Sequence, residues 1–301
     1  MNKTFVIPAQ AGIQSKKTID EIHSLDSGLR RNDKIVINTL RRYLNLYRAF
    51  LRFSFHQFVI YRAHFINSTI STVGWGIFQI IWISLLTVRT KSAFGWSKNE
   101  LIILAILYVI IIGLLHFFFT GNFDRLARLI DRGELDFVLL KPVDSQFMVT
   151  NFLQRYANLV RVALGIIFLF FYLNVTHTKI TPAGWIGFIV FVIFGIALLY
   201  SLWMIYSSLL IWFPRLTNIT DFLFTINGMS RYPVEMIREA NIFILFFILP
   251  FSIAVATPAQ ILVRGTLNGD VLTLTALSVF LFIFSRKFWH YALRHYTSAS
   301  S

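Results

Sequence analysis

Cysteine is absent from the 301 residues, so the chain can form no disulfide, ligate no metal through thiolate and use no thiol nucleophile. Charge is scarce as well. Only 14% of residues are Asp, Glu, Lys or Arg, against about 25% in ordinary soluble domains. The sequence contains no Gly-x-x-x-x-Gly-Lys-Ser/Thr, Gly-x-Gly-x-x-Gly, His-Glu-x-x-His or Gly-x-Ser-x-Gly. Standard nucleotide hydrolysis, dinucleotide binding, zinc proteolysis and serine hydrolysis by this chain are thereby excluded. The seven histidines are dispersed, which argues against a membrane-embedded enzyme built on clustered His, Asp or Glu. The first 36 residues are hydrophilic and lack the apolar core of about 7 to 15 residues that a secretory signal carries. They read as a disordered cytoplasmic leader. Val6 to Gln14 and Leu25 to Asp33 within it resemble the translation product of dispersed bacterial repeats, so the start itself falls within the expectation of a repeat-derived segment.

What is abundant is apolar surface: 56% hydrophobic residues, 32 of them Phe, and a mean hydropathy of +0.66. Apolar runs fill the chain from about Phe65 onward and leave no room for a separate soluble domain. The expected fold is all-α, a polytopic membrane protein of six transmembrane helices over residues 37–296, with 297–301 a short tail. Spans are expected at Phe65 to Leu86, Leu101 to Thr120, Leu159 to Tyr172, Trp185 to Trp212 and Val271 to Ser285, on the basis that about 20 apolar residues cross a hydrocarbon core. Arg155 and Arg161 beside the third are expected to snorkel to the interface. The fifth span has two readings. Leu216 to Ser230 is modestly apolar and carries Asp221; Asn241 to Val263 is strongly apolar but holds Pro250 and Pro258, which favours a re-entrant hairpin there. Both readings give six crossings.

Ahead of the first span, Ile37 to Arg62 is amphipathic. Leu40, Tyr43, Leu44, Tyr47, Phe50, Leu51, Phe55 and Phe58 share one side of a helix and Arg41, Arg42, Arg48 and Arg52 the other. Such a helix lies in the headgroup plane, against anionic lipid or a partner. The net charge of +14 does not point to nucleic acid, because the basic residues sit in short segments between apolar runs. They set orientation instead. With the N-terminus inside, only Arg89, Lys91, Lys98, Lys179 and Arg264 of the 28 Lys and Arg fall outside. Arg231 and Arg238 join them if Asn241 to Val263 is re-entrant. Both termini and the loop from Gly121 to Asp144 are then cytoplasmic.

Ion-coupled transporters bury carboxylates, since a charge at the bilayer centre costs at least about 2.5 kcal/mol and persists only for use. Asp221 is the one carboxylate in or beside a span, with His64 and His116 near span ends; interfacial hydrogen bonding explains all three. The loop Gly121 to Asp144 carries more information. Asn122 can cap a short helix whose Phe123, Leu126, Leu129 and Ile130 form an apolar strip, with Asp124 and Arg128 at i and i+4 and Gly133 suited to a left-handed end. An acidic then apolar run, Glu134 to Val143, follows and is stopped by Pro142. Such an element either connects two spans or docks a partner.

The run Arg128-Leu-Ile-Asp-Arg-Gly-Glu-Leu-Asp-Phe-Val-Leu-Leu-Lys-Pro-Val143 resembles the signature loop of type-2 ATP-binding-cassette exporter permeases, in the bacterial six-span subfamily with a separate ATPase. Arg231-Tyr-Pro233, Leu249-Pro-Phe251 and Thr257-Pro-Ala259 follow in that subfamily's order, and the resemblance covers Thr39 to Tyr296. Lys141 stands where that loop more often has Arg. The resemblance implies a connecting helix bearing Arg41, Arg42, Arg48 and Arg52. It implies a coupling helix, Asn122 to Arg132, with coupling residues Asp124, Arg125, Arg128, Asp131, Arg132, Gly133, Glu134, Asp136 and Pro142. It further implies Leu216 to Ser230 as the fifth span and an outer re-entrant pair over Glu235 to Val263, marked by Tyr232, Pro233, Pro250 and Pro258. No cofactor is expected on this chain, ATP being bound by the partner subunit. Expected partners are an ATP-binding-cassette ATPase, a second permease and membrane lipid in the bacterial inner membrane. The alternative is an ion-coupled secondary transporter or channel, which would need inverted repeats or buried ionisable pairs.

Overall fold

The computed structural model describes residues 39–88, 92–216, 218–238, 242–265 and 269–297; the leader and its repeat-like segments lie outside these. Residues 39–60 form helix α1, on which Arg41, Arg42, Arg48 and Arg52 are all exposed. Tyr61, at φ −93° and ψ 59°, ends it, and α2 runs from Arg62 to Leu86. A two-residue hairpin follows, β1 (Ser92–Ala93) pairing with β2 (Trp96–Ser97). Its turn residues Phe94 and Gly95 both have positive φ, the handedness that matches strand twist in tight hairpins. Ser97 and Glu100 then cap the next helix reciprocally, and α3 (Lys98–Leu115) begins.

Helix α3 is apolar on every side because it is buried on every side, from Leu101 to Gly113. It does not stop where a separate loop helix was expected. A π-helical turn, His116–Thr120, carries it without a break into α4 (Gly121–Asp131). After α5 (Asp136–Leu139) and α6 (Ser145–Asn151), α7 (Ala157–Val175) and α8 (Pro182–Ser208) cross the molecule. Thr181 caps α8 by accepting from the Gly184 N–H at 3.1 Å, ahead of Pro182. Helices α9 (Ile219–Met229), α10 (Val234–Arg238), α11 (Ile242–Arg264) and α12 (Gly269–Arg294) complete the chain. Among the described residues six helices are long and apolar enough to cross a membrane.

From Phe50 onward the helices pack as one unit, α3 against α7 and α2, and α8 against α11 and α12. Apolar chains have no preference between lipid and each other, so small residues that admit close backbone approach decide membrane packing. A β-carbon on Gly113 would stand 2.7 Å from Val162, and one on Gly187 2.7 Å from Ile261. The outward faces of α2, α7 and α12 are apolar, with Ile70, Trp75, Phe171 and Phe280 exposed, as a surface bathed in lipid requires.

In the fifth-span region Pro250 and Pro258 lie inside α11, which stays helical from Ile242 to Arg264. Conversely, Leu216 to Ser230 holds only the 11 residues of α9. Each proline removes one intrahelical N–H, and a helix already enclosed by neighbours tolerates that loss. The carbonyl left without its donor by Pro258 belongs to Ala254, and it presses directly on the backbone of Gly195 in α8.

Candidate functional site

The loop between α3 and α7 is built on Asn122, which is fully buried. It does not cap a helix start. Its amide donates to the Phe118 carbonyl at 3.0 Å and the Leu153 carbonyl at 2.7 Å, and accepts from the Leu153 N–H at 2.7 Å. One side chain thus ties the end of α3 to the strand of chain leading into α7. Phe123, Leu126, Leu129 and Ile130 are buried, confirming the apolar strip. Asp124 pairs across the loop with Arg155 rather than along the helix with Arg128, and Arg125 lies over the Phe152 ring at 4.1 Å. Both therefore anchor the loop from its inner side.

The other expected residues face outward. Arg128, Asp131, Arg132 and Glu134 are exposed. Gly133 has φ +68°, and its N–H donates to the Ile130 carbonyl while that of Glu134 donates to the Leu129 carbonyl at 2.8 Å. This is the paired-bond ending that a left-handed glycine permits. The turn delivers α5, where Asp136 is half-buried but Phe137 is 70% and Leu140 81% exposed. Pro142 is exposed beyond them. Two large apolar side chains thus stand exposed within a few residues of four exposed charges. Sequence reasoning missed Phe137 and Leu140 because an apolar run stopped by proline reads as buried; only its position after a charged helix marks it as a surface.

The loop is closed by Asp144. It caps α6, accepting from the Phe147 N–H at 2.8 Å, and receives both terminal nitrogens of Arg286 in α12. Burial alone would push this carboxyl up, but the Arg286 guanidinium and the Phe147 N–H hold it below the usual carboxylate range. The second half of α1 is bound to the same region. Ser54 donates to Gln154 at 3.0 Å and accepts from its N–H at 3.1 Å, and the Tyr156 hydroxyl donates to the Leu51 carbonyl at 3.1 Å.

The opposite end of the bundle has its own polar network. Glu235 accepts from the indole N–H of buried Trp96 at 2.8 Å and from Gln260 at 3.1 Å. Arg264 donates to Glu100 at 2.8 Å and to the Gly95 carbonyl at 2.7 Å, and Arg238 pairs with Asp270. These contacts fix the path of the fifth-span region. Trp212 stacks near Phe288, Tyr291 and His295 late in α12, whereas Arg238 meets Asp270 at its start. The chain therefore passes from one end of the bundle to the other between Trp212 and Arg238, by way of α9, Tyr232, Pro233 and α10. Helix α11 passes Gly195 midway along α8 and ends at Arg264, beside Glu100 and Gly95.

Interior charge is placed differently from expectation. Asp221 is exposed in the first turn of α9, not buried inside a span, and His116 sits in the π turn with its ring 5.2 Å from Phe224. Arg161 does not snorkel to the interface: it is 7% exposed, turned inward against Gly76 of α2. The reason lies on the facing helix, where glycine at 76 leaves a recess that a guanidinium stem can enter. Arg231 is likewise turned inward, donating to Gln79.

A comparison with curated proteins found no match. The model of the ABC-2 family transporter proteins matches residues 73–300, from within α2 through α12 and including the loop described above. With its six apolar helices, the chain belongs to the ABC-2 transporter family and is a multi-pass membrane permease component of an ATP-binding-cassette transporter, a family that works with a separate ATPase.

Proposed function

We propose that this permease serves an exporter in the bacterial inner membrane, and that α4 and α5 are the surface on which its ATPase docks. The observation that carries the reading is the exposed pair Phe137 and Leu140 on α5, one turn beyond Arg128, Asp131, Arg132 and Glu134, at the end of an α4 that is continuous with the central α3. A docked ATPase that moves α4 moves α3 as a lever, because the π turn between them keeps the hydrogen-bonded rod intact. Helix α3 contacts α2, α7, α8 and α11, so the motion reaches both halves of the bundle. The α4 end is cytoplasmic, with both termini on that side. Helix α1, with Arg41, Arg42, Arg48 and Arg52, is the connecting helix at the anionic headgroups. ATP binds the partner ATPase, and a second permease, identical or paralogous, completes the translocation path. Tyr232 to Arg264 returns to the outer end without adding a crossing, with Pro233, Pro250 and Pro258 shaping it. No nucleic acid is involved. The absence of a buried carboxylate at Asp221 favours this over an ion-coupled secondary transporter or channel.

The test is co-purification of its cognate ATPase with wild type and with the Phe137→Asp/Leu140→Asp variant. Loss of ATPase recovery by tenfold or more, with normal membrane insertion, is expected. Undiminished recovery and undiminished substrate-stimulated hydrolysis would make the loop a connector only.

A further inference from the structure

Two cavities follow one another along α2 and α7. The first, about 450 Å³, is mixed: Ser54, His64, Ser68, Thr72, Arg155 and Asn158 stand among aromatic and aliphatic side chains on its walls. The second, about 460 Å³, starts one turn further on, where Val73 succeeds Thr72 and Arg161 succeeds Asn158. Its walls are aliphatic and aromatic apart from Arg161. Ile77, Ile167 and Phe171, which line it, are each more than half exposed on the outer face of the bundle, so the cavity opens sideways to the bilayer. Together the two make one groove, with its polar side chains at the α4 end and an almost wholly apolar stretch toward the middle of the membrane.

At the junction stand two orphaned groups. Arg161 is 7% exposed and its Nε has no hydrogen-bond partner; Asn158 is 4% exposed and its Oδ1 has none. Among the described residues no carboxylate is bonded to Arg161, and Asp124 is already committed to Arg155. A buried cation without a counter-charge is strongly unfavourable unless something supplies one. Gly76 borders that space: a β-carbon there would stand 3.3 Å from Val109 Cγ1 and 3.6 Å from Arg161 Cγ and Nε, so a longer side chain would fill it.

We propose that this groove binds one anionic phospholipid whose headgroup carries hydroxyls, with its phosphate on Arg161, a hydroxyl on Asn158 Oδ1 and an acyl chain along α2 and α7. A phosphate gives the guanidinium the charge and the fork-shaped acceptor it lacks, and a glycerol hydroxyl gives Asn158 a donor. A choline headgroup would supply no donor and would set a second cation beside Arg155. The site opens to the bilayer, so its occupant comes from the leaflet on the α4 side. The inference needs only that the chain is membrane-embedded; it is independent of ATPase docking, which the co-purification above tests separately.

The experiment is native mass spectrometry of the purified full chain, titrated with dioleoyl phosphatidylglycerol or dioleoyl phosphatidylcholine, alongside thermal melts with the same lipids. Wild type should retain one phosphatidylglycerol at least tenfold better than phosphatidylcholine and gain heat stability from it alone. Arg161→Met should lose that preference at least tenfold while melting, without lipid, no lower than wild type, because it removes an uncompensated charge. Gly76→Leu keeps Arg161 and fills the recess, so it should lose binding too, and it serves if Arg161→Met fails to fold. Equal retention of the two lipids by wild type, an unchanged preference in both variants, or equal protection by inorganic phosphate alone would each overturn the proposal.

Discussion

Single residues decide how this bundle closes. At Gly195 a carbonyl deprived of its partner by Pro258 lies against the bare α-carbon of a neighbouring helix, an approach that any β-carbon forbids. Gly195→Val should therefore force α8 and α11 apart and lower the detergent melting temperature more than Gly228→Val, where a β-carbon meets nothing within 4 Å; equal shifts would show that the close approach carries no stability. Asp144 is a different kind of residue. Its carboxyl is held below the ordinary range by Arg286 and the Phe147 N–H, so the stability it adds is full above the ordinary carboxylate pKa and is lost as pH falls through the lowered one. Asp144→Asn should thus melt lower than wild type at neutral pH, with the gap closing as pH drops below about 4. A gap that stays constant with pH would mean the pair contributes through shape rather than charge.

At the scale of elements, legibility followed burial pattern. Helices α2, α7, α8 and α12 were readable because an uninterrupted apolar run as long as a bilayer is thick is stable only where lipid or neighbouring spans cover it. The apolar strip of α4 and the left-handed Gly133 were readable because helical period and a glycine end are local signals. The continuity of α3 with α4 was not. It depends on Asn122 finding the Leu153 backbone 31 residues away, and a polar residue after an apolar run looks locally like a cap. The same limit hid the inward turn of Arg161, which depends on Gly76 in another helix, and the survival of α11 through two prolines, which depends on its enclosure. Asn122→Ala would leave the Leu153 N–H and carbonyl buried without partners, at a cost of about 1–3 kcal/mol. Faster amide exchange at 152–156, with α8 unaffected, is the expected readout. Unchanged exchange there would mean the rigid elbow between α3 and the return segment is held by something else.

For the whole molecule, the decisive feature is that its two ends are built differently. The end bearing α4 to α6 presents exposed Phe137 and Leu140 among charges, while the other is sealed by Trp96, Glu100, Glu235 and Arg264 bonding to one another. On the proposed function the first is the docking end, and the excess of Lys and Arg would then put it in the cytoplasm. The cysteine-free sequence allows this to be checked one site at a time. A cysteine at Leu140 should react only after the membrane is permeabilised and should be shielded when the ATPase is bound, because it would lie within the docking surface. A cysteine at Lys179, in the turn between α7 and α8, should react in intact cells and be indifferent to the ATPase. Reversal of the two accessibilities would invert the molecule in the membrane and remove the ATPase from α4, whatever the family. Correct sidedness without shielding at Leu140 would keep the topology and move the docking surface elsewhere on the same end, toward the exposed face of α1.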